Sequence, residues 1–355
     1  MSKPLISVVM VICNVERFLA EAIESVVGQT FKEFEFIILD FGSTDSSKAI
    51  AARYVARDSR IKLHEIPTCS LTEARNAACR LAQGQYIAVM DSDDIADPNR
   101  LLWQFEFMEK HPKVGLLGGA TQWIDATGRF LDIHSFPTEH AQLKSELLTR
   151  CPFCQPTVLM RTKAFSSVGG YRRVFAQAED YDLWIRIAES FEVANLEKVV
   201  LKYRIHPYQV SIRKRKQQTL CILAAQASAV SRSARSLDPM ESIEEINPEV
   251  LGELGVSEAT QQVGLASDSR DWVRNMIAAG EHAVALKAVV EILQSCDWKY
   301  VESWRIAELW LTAARLYWDQ GRFASSLRAV RRAIVVRPAV LGRPLKPLLR
   351  WVGLV

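Results

Sequence analysis

The sequence has few of the features that mark secreted, membrane-spanning or metal-stabilised proteins. Its seven cysteines are an odd number without a regular framework, which favours reduced thiols in a cytoplasmic protein. Cys151 and Cys154 have metal-type spacing, but no second CxxC or CxxH pair closes a zinc site, so we expect structural thiols. The opening "PLISVVMVI" is too short and strand-like for a signal peptide. No apolar run reaches the ~18 residues of a spanning helix.

The chain also has no large excess of either positive or negative charge. The net charge of +3 gives no general case for nucleic acid binding. Neither a GxxxxGK[ST] loop nor a GxGxxG turn occurs, which removes the two commonest rival nucleotide-binding folds. At 355 residues the chain exceeds the usual size of a single core, so we expect two domains.

The first part of the chain, to about residue 205, alternates strand-like and helix-like segments. "LISVVMVI", "FEFIIL", "IKLHEI" and "QYIAVM" read as buried strands separated by amphipathic helices. This alternation predicts an α/β domain with a mainly parallel sheet. "TQWID" and "RFLDI" read as antiparallel additions to that sheet.

The remainder of the chain has a helical pattern. We expect a domain over residues 1–212, a helix and acidic linker over 213–260, and an α-helical domain over 261–355. One segment of the last domain has the spacing of a tetratricopeptide-type hairpin, and a helical domain without a repeat array is the alternative. The residues with this spacing are Ala313, Tyr317, Gly321, Ala329, Ala333 and Pro338.

Acidic residues follow the fourth predicted strand in "MDSDDIADP". Asp91, Asp93 and Asp94 would repel one another there unless a cation or strong donors offset their charge. Oxygen ligands at this spacing suit Mg²⁺ or Mn²⁺, which keep open positions for phosphate oxygens. The alternative is an acidic turn in which Asp97 and Pro98 begin the next helix.

Two further acidic sites lie at element boundaries. Asp40 ends the second strand, where parallel sheets present groups to a ligand. Glu179, Asp180 and Asp182 open an amphipathic helix, where the helix dipole stabilises carboxylates. Three acids exceed what capping requires, so one of them could act as a general base and another could bind an acceptor hydroxyl.

Several of these segments, in this order, resemble glycosyltransferase family 2. The segments are "PLISVVMVICN", "FIILDFGSTD", "LTEARNAACRLAQGQYIAVMDSDDIADPNRL", "GGYRRVFAQAEDYDLWIRIA" and "YRIHPYQVS", and they cover about the first 210 residues. The resemblance implies a GT-A fold for this part of the chain, which precedes the α-helical C-terminal domain predicted from the helical pattern. It also implies inverting transfer from a nucleotide-diphosphate sugar to a glycan or lipid-linked acceptor in cell-surface polysaccharide assembly.

The resemblance assigns roles to residues of this sequence. Asp180 matches the catalytic base, and Glu179 matches its neighbour at the acceptor. Asp91 and Asp93 match the DxD-type motif that holds Mn²⁺ or Mg²⁺. His206 matches a histidine near the diphosphate and is a further candidate metal ligand; a buried core histidine is the alternative. The expected nucleotide-sugar contacts are Val11, Cys13, Asp40, Arg75 and Asp91.

The sequence departs from the family pattern at four positions. Val11 and Cys13 replace a polar residue and a stacking aromatic, and Phe41 replaces the second acid after the second strand. Phe41 either restores stacking on the base or faces the core, so the identity of the base stays open. Gln155 stands where histidine is common.

Two other functions remain in competition with sugar transfer. A catalytically silent GT-A scaffold would have no reason to keep the repelling carboxylates. A sugar nucleotidyltransferase would show a Gly- and Arg/Lys-rich loop after the first strand, which "VICNVERF" lacks.

The C-terminal segment is basic and apolar without an acid, which is compatible with peripheral contact with the inner face of a membrane. A solvated helix face is the alternative. Its cations are Arg322, Arg328, Arg331, Arg332, Arg337, Arg343, Lys346 and Arg350.

Overall fold

A computed structural model describes residues 3–207, 215–234, 237–295 and 297–342. The chain divides into two compact units. The first runs to Arg204 and includes Ala224–Ile246. The second comprises Ile205–Leu223 and the chain from Asn247 onward. The first unit therefore takes in a segment that the sequence assigns to the linker.

The first unit is built on a mixed sheet whose strands follow the order β3-β2-β1-β4-β8-β6-β9-β5, with β7 paired to β6. The strands β1, β2 and β4 are buried, whereas β3, at the edge of the sheet, is mostly half-buried. The strands are β1 (Ile6–Ile12), β2 (Phe34–Asp40), β3 (Ile61–Glu65), β4 (Tyr86–Val89), β5 (Ile95–Ala96), β6 (Val114–Asp125), β7 (Phe130–His134), β8 (Leu159–Arg161) and β9 (Glu192–Ile205).

The parallel half of the sheet sets the position of the site. β1 pairs in parallel with β2 and β4, and β2 pairs in parallel with β3. Ile12 lies opposite Asp40, so β1 and β2 end together. The other half is antiparallel, as the pairs β4–β8, β6–β8, β6–β7 and β5–β9 show, so the sheet is mixed rather than mainly parallel.

Helices cover the sheet with their apolar sides. In α1, for example, Phe18, Leu19 and Ile23 are buried because they recur at helical spacing. A capping box between Ser70 and Glu73 fixes the start of α3. The helices of this part are α1 (Glu16–Val27), α2 (Ser47–Val55), α3 (Leu71–Leu81), α4 (Arg100–Lys110), α5 (His140–Glu146), α6 (Thr162–Ser167) and α7 (Glu179–Ser190).

The glycine-rich middle of the chain differs from the short strands predicted there. β6 is one strand of 12 residues that passes through the glycines. A Cβ on Gly115 would lie 2.6 Å from a carbon of Phe191, and one on Gly119 would lie 2.8 Å from Val200. The glycines therefore leave room for Phe191 and Val200 to pack against the strand, and they do not interrupt it. The antiparallel pairing expected for "RFLDI" is confirmed.

The rest of the chain is helical. Within the described residues it contains α8 (Arg215–Ser233), α9 (Pro248–Glu253), α10 (Glu258–Ala278), α11 (His282–Ser295), α12 (Ser303–Asp319) and α13 (Phe323–Val336). Gly280 and Gly321 adopt φ of 81° and 71° between helices, a conformation that glycine adopts readily. None of the described helices is both long enough and apolar enough to span a bilayer.

Candidate active site

The loop after β2 is organised by Asp40. This residue is only 4% exposed, and its Oδ1 accepts the backbone N–H groups of Gly42 and Ser43 at 2.9 and 2.8 Å. Its Oδ2 is buried and has no hydrogen-bond partner among the described residues. Because a buried unpaired carboxylate oxygen is costly, this atom is a candidate ligand contact.

The loops after β1 and β2 are hydrogen-bonded to each other. Asn14 adopts φ of 56°, and its Oδ1 accepts the backbone N–H groups of Thr44 and Asp45 at 2.8 and 3.2 Å. Val15 N–H donates to Ser47 Oγ at 2.9 Å. The edge of the predicted nucleotide pocket is therefore tied together by polar groups that the sequence analysis did not single out.

Three residues of that predicted pocket are half-buried. Burial and the nearby charges of Asp40 and Asp45 raise the pKa of the Cys13 thiol, so the thiol is neutral. Val11 lines a small recess together with Arg75 and Asp91. Phe41 is half-buried and lies outside the buried core, which leaves part of its ring accessible at the strand end.

The acidic turn after β4 is held from β9. Arg204 donates its backbone N–H to Asp94 Oδ1 and its Nε–H to the Asp93 carbonyl, both at 2.8 Å. Burial, followed by the charges of Asp93 and Asp91, raises the pKa of Asp94 well above its ordinary value. Asp94 is thus an internal anchor of the turn, whereas Asp91 and Asp93 are half-buried.

The turn differs at its end from the predicted helix cap. Asp97 Oδ1 accepts the N–H of Asn99 at 2.8 Å, and α4 begins at Arg100 rather than at Pro98.

Arg75 joins the strand-end acids to α7. Its Nη1 donates to Glu179 Oε1, and its Nη2 lies 3.5 Å from Asp91 Oδ1. Although burial opposes its charge, Glu179 and Asp91 raise the pKa of Arg75. Burial raises the pKa of Asp91 to about 6, and Asp93 and Glu179 add to the shift that Arg75 opposes. Asp91 and Glu179, which are predicted from separate motifs, therefore meet at the guanidinium group of Arg75.

Asp180 meets an amide rather than a cation. With its amide oriented so that both ends are satisfied, Gln155 donates to Asp180 Oδ2 at 2.8 Å and accepts from Arg75 Nε at 2.9 Å. Burial, followed by the charge of Glu179, raises the pKa of Asp180 to about 6. Gln155 was noticed in the sequence only as a departure from the family pattern. Its place at the centre of the cluster depends on contacts that the sequence does not reveal.

Asp182 belongs to a different network. It is fully buried and accepts Nε–H from Arg172 at 3.0 Å and from Arg186 at 2.9 Å. Arg172 also donates to Asp238 Oδ2 at 2.7 Å. Of the three acids that open α7, Asp182 is thus the structural one.

His206 follows β9 directly and is 5% exposed. It belongs to the second compact unit, whereas the carboxylates described above belong to the first. Its burial agrees with the alternative of a core histidine.

The residues available for a divalent cation are two carboxylates. No group of three or more His, Cys, Asp or Glu side chains suited to a metal occurs in the described part of the chain. Asp91 and Asp93 nevertheless fit Mg²⁺ or Mn²⁺, since such ions often bind one or two carboxylates and complete their shell with water and phosphate. Burial is the main cause of the raised pKa of Asp91, and the negative charge of Asp93, which a cation would neutralise, adds to it.

The described cysteines are free thiols. Cys151 Sγ donates to the Phe153 carbonyl at 3.3 Å, and burial raises the pKa values of both Cys151 and Cys154. Both residues are half-buried, and their raised pKa values keep the thiols protonated, as suits the structural role expected for this pair.

Comparison with known proteins gives consistent results. The family described as "Glycosyl transferase family 2" matches residues 7–169. EpsE of Bacillus subtilis, a protein assigned as a glycosyltransferase, is 39% identical over 212 residues, which are 57% of this chain and 74% of EpsE. The O-antigen biosynthesis glycosyltransferase WbnJ of Escherichia coli is 30% identical over 206 residues, which are 57% of this chain and 80% of WbnJ.

A solved structure extends the similarity in fold. The crystal structure of S. aureus TarS 1–349 in complex with UDP-GlcNAc has a TM-score of 0.51 at 16% identity. The match covers 95% of this chain and 91% of that one. At this level of identity, the likeness concerns the fold alone.

Proposed function

The chain belongs to glycosyltransferase family 2, and on that premise we propose that it moves a sugar from a nucleotide-diphosphate sugar to a hydroxyl acceptor with inversion. The observation that carries the proposal is the cluster of Asp91, Glu179, Asp180 and Gln155 around Arg75. A donor diphosphate needs groups that offset its negative charge, and an acceptor hydroxyl needs a base that takes its proton.

Asp180 is the proposed base. The acceptor oxygen forms a bond to the anomeric carbon as the bond from that carbon to the diphosphate oxygen breaks. The hydroxyl proton passes to Asp180. A pKa of about 6 makes this carboxylate a stronger base than an ordinary aspartate while it remains mostly ionised at pH ~7. Glu179 is proposed to lie at the acceptor, with Arg75 fixing its carboxylate.

The donor site is proposed at the carboxyl edge of β1, β2 and β4. The buried, unpaired Oδ2 of Asp40 supports a contact with the nucleotide base, and Val11, Cys13 and Arg75 complete the proposed nucleotide-sugar contacts. TarS is described with UDP-GlcNAc, which makes uridine diphosphate sugars the first donors to test. Phe41, with part of its ring accessible, is proposed to stack on the base. Replacing it by aspartate, Phe41→Asp, should change which nucleotide binds.

Asp91 and Asp93 are the proposed ligands of Mn²⁺ or Mg²⁺. A cation held by these carboxylates would neutralise the charge that develops on the departing diphosphate. Asp94 is not proposed as a ligand, because burial raises its pKa well above its ordinary value and so favours the neutral acid, and its Oδ1 already accepts the Arg204 N–H. His206 is proposed only as a buried histidine.

The biological setting is proposed from the relatives. WbnJ is named for O-antigen biosynthesis, which supports a role in polysaccharide assembly with a glycan or lipid-linked acceptor. A cytoplasmic site of action is proposed from the reduced cysteines. The basic tail proposed from the sequence as a membrane contact includes Arg343, Lys346 and Arg350, which lie outside the described residues.

The proposal is tested by a screen of nucleotide sugars with Mn²⁺ or Mg²⁺. We expect one donor to raise the thermal midpoint and to be hydrolysed slowly in a metal-dependent way. In the Asp93→Asn variant, donor hydrolysis should no longer depend on the metal. In the Asp132→Asn variant, which changes an exposed side chain, hydrolysis should depend on the metal as in the wild type. If no nucleotide stabilises the protein with either metal, the chain is a silent scaffold rather than a transferase.

A further inference from the structure

The helical second unit contains an internal repeat. The sequences "GEHAVALKAV" (residues 280–289) and "GRFASSLRAV" (residues 321–330) share Gly, Ala, Leu, Ala and Val at equivalent positions. Each glycine has positive φ and precedes the second helix of a hairpin, α10–α11 in one case and α12–α13 in the other. Ala288 and its equivalent Ala329 are both buried. The two hairpins are therefore copies of one unit.

The copies differ in what covers their second helix. Leu286 of α11 is 5% exposed, whereas its equivalent in α13, Leu327, is 62% exposed. α12 packs on α11, whereas among the described residues α13 is followed by no further helix except the short 3₁₀ helix Pro338–Gly342, which contacts it. Phe323 and Val335, also on α13, are 52% and 69% exposed. The last helix of a repeat array normally presents a polar face to solvent, whereas this helix also exposes three large apolar side chains.

The charge of the uncovered side also differs. Arg328, Arg331 and Arg332 take the positions of Lys287, Val290 and Glu291, and α13 contains no acid. All three arginines are exposed, and within the described residues none of them lies within ion-pair distance of a carboxylate. We define the outer face of α13 as Phe323, Leu327, Arg328, Arg331, Arg332 and Val335, which lie on one side of the helix.

We propose that the outer face of α13 binds an anionic phospholipid surface. Interleaved arginines and large apolar residues without an acid are the composition of a helix that lies in a membrane interface. A second copy of this face would oppose arginine to arginine, and every charged side chain after α13 is a cation, so neither offers a complementary charge. The contact would bring the transferase to acceptors carried by lipid.

The full chain is tested by sedimentation with vesicles. We expect binding to phosphatidylcholine vesicles that contain phosphatidylglycerol, weakened by salt, and no binding to phosphatidylcholine alone. Arg331→Gln combined with Arg332→Gln should weaken partitioning about thirty-fold, at ~1 kcal/mol for each cation. Leu327→Ser should weaken it about ten-fold.

Matched controls come from the equivalent hairpin and from the other unit. Lys287→Gln removes the exposed cation of α11 that is equivalent to Arg328, and Leu148→Ser removes an exposed leucine of the first unit. Both should leave partitioning unchanged. Equal binding to both vesicle types, no binding to either, or unaltered binding of the Arg331/Arg332 double variant would overturn the proposal.

A dimer that Leu327→Ser dissociates in the absence of lipid would also overturn the proposal, because the outer face of α13 would then be a protein interface. The readout is vesicle binding, so it fails or succeeds independently of sugar transfer.

Discussion

Two carboxylates of α7, Asp180 and Asp182, stand in opposite electrostatic surroundings although they are two residues apart. Asp182 is enclosed by Arg172 and Arg186 in a network that extends to Asp238. Asp180 accepts hydrogen bonds from an amide and a backbone N–H, and its pKa is raised. Asp182 is neutralised and structural, whereas Asp180, the proposed base, has no arginine as a direct partner among the described residues.

The difference comes from distant parts of the chain. Arg172 lies between α6 and α7, and Asp238 precedes a short 3₁₀ helix, Pro239–Ser242. Through Arg172, Asp238 ties the segment Ala224–Ile246 to the rest of the first unit, and Arg232 of that segment pairs with Glu189 of α7. Local sequence alone, "EDYD", would treat the acids as equals.

Replacing the reactive acid should give the largest effect. Asp180→Asn removes the proposed proton acceptor while keeping the shape and a hydrogen bond, so we expect transfer to fall by ~10²–10⁴-fold. Donor binding should change little, as measured by thermal shift with the nucleotide sugar. Transfer at the wild-type rate would show that Asp180 is not the base, and the functional difference between Asp180 and Asp182 would then be wrong.

Replacing the structural acid should act on stability instead. Asp182→Asn leaves Arg172 and Arg186 buried without their carboxylate, and breaking such a pair costs about 3–5 kcal/mol of unfolding free energy. Denaturant unfolding measures this loss, and the remaining folded protein should keep its donor affinity. Asp132→Asn, with a side chain 72% exposed, is the control and should change stability by no more than about 0.5 kcal/mol.

Gln155 offers an intermediate test, because it positions Asp180 without being a proton acceptor. Gln155→Leu leaves Asp180 without its amide partner, and we expect kcat to fall about ten-fold with a shifted pH profile. Gln155→His keeps a ring nitrogen for hydrogen bonding and should recover part of the rate. Equal rates for the leucine and histidine variants would mean that the amide contact has no positioning role.

The smallest effect concerns stability against pH. The pKa of Asp180 is about 6 in the fold against an ordinary 3.8, so folding favours the protonated carboxyl. That contribution is fully present below pH ~4 and is lost as pH rises through about 6. Asp180→Asn should therefore raise the thermal midpoint by about 2–4 °C at pH ~8 and leave it unchanged at pH ~4. A variant less stable than wild type at pH ~8 would contradict the raised pKa.

Much of the fold follows from local pattern. The first four strands, α1, α3 and α7 lie where apolar periodicity and capping signals predict them, and the expected GT-A architecture is confirmed. β6 could not be predicted as one strand, because its glycines are required by Phe191 and Val200, which are remote in sequence. The antiparallel half of the sheet depends on such distant pairings.

The residues of the candidate site can be predicted from the sequence better than the contacts between them. Strand-end position identified Asp40 and Asp91, and the acid cluster identified Glu179 and Asp180. Arg75 was named as a nucleotide contact, but its ion pair with Glu179 joins α3 to α7 and has no signal in sequence spacing. The repeat in the second unit did have a signal, since Gly280 and Gly321 begin matching segments.

The hydrogen-bonded loops around Asn14 have a consequence for the energetics of donor binding. Because Asn14 already holds Thr44 and Asp45, little backbone entropy remains to be lost when a nucleotide arrives. The amide protons of Thr44 and Asp45 should consequently exchange slowly with solvent in the protein without ligand. The proposed nucleotide edge would in this sense be rigid before binding, and it would select a ligand for its shape.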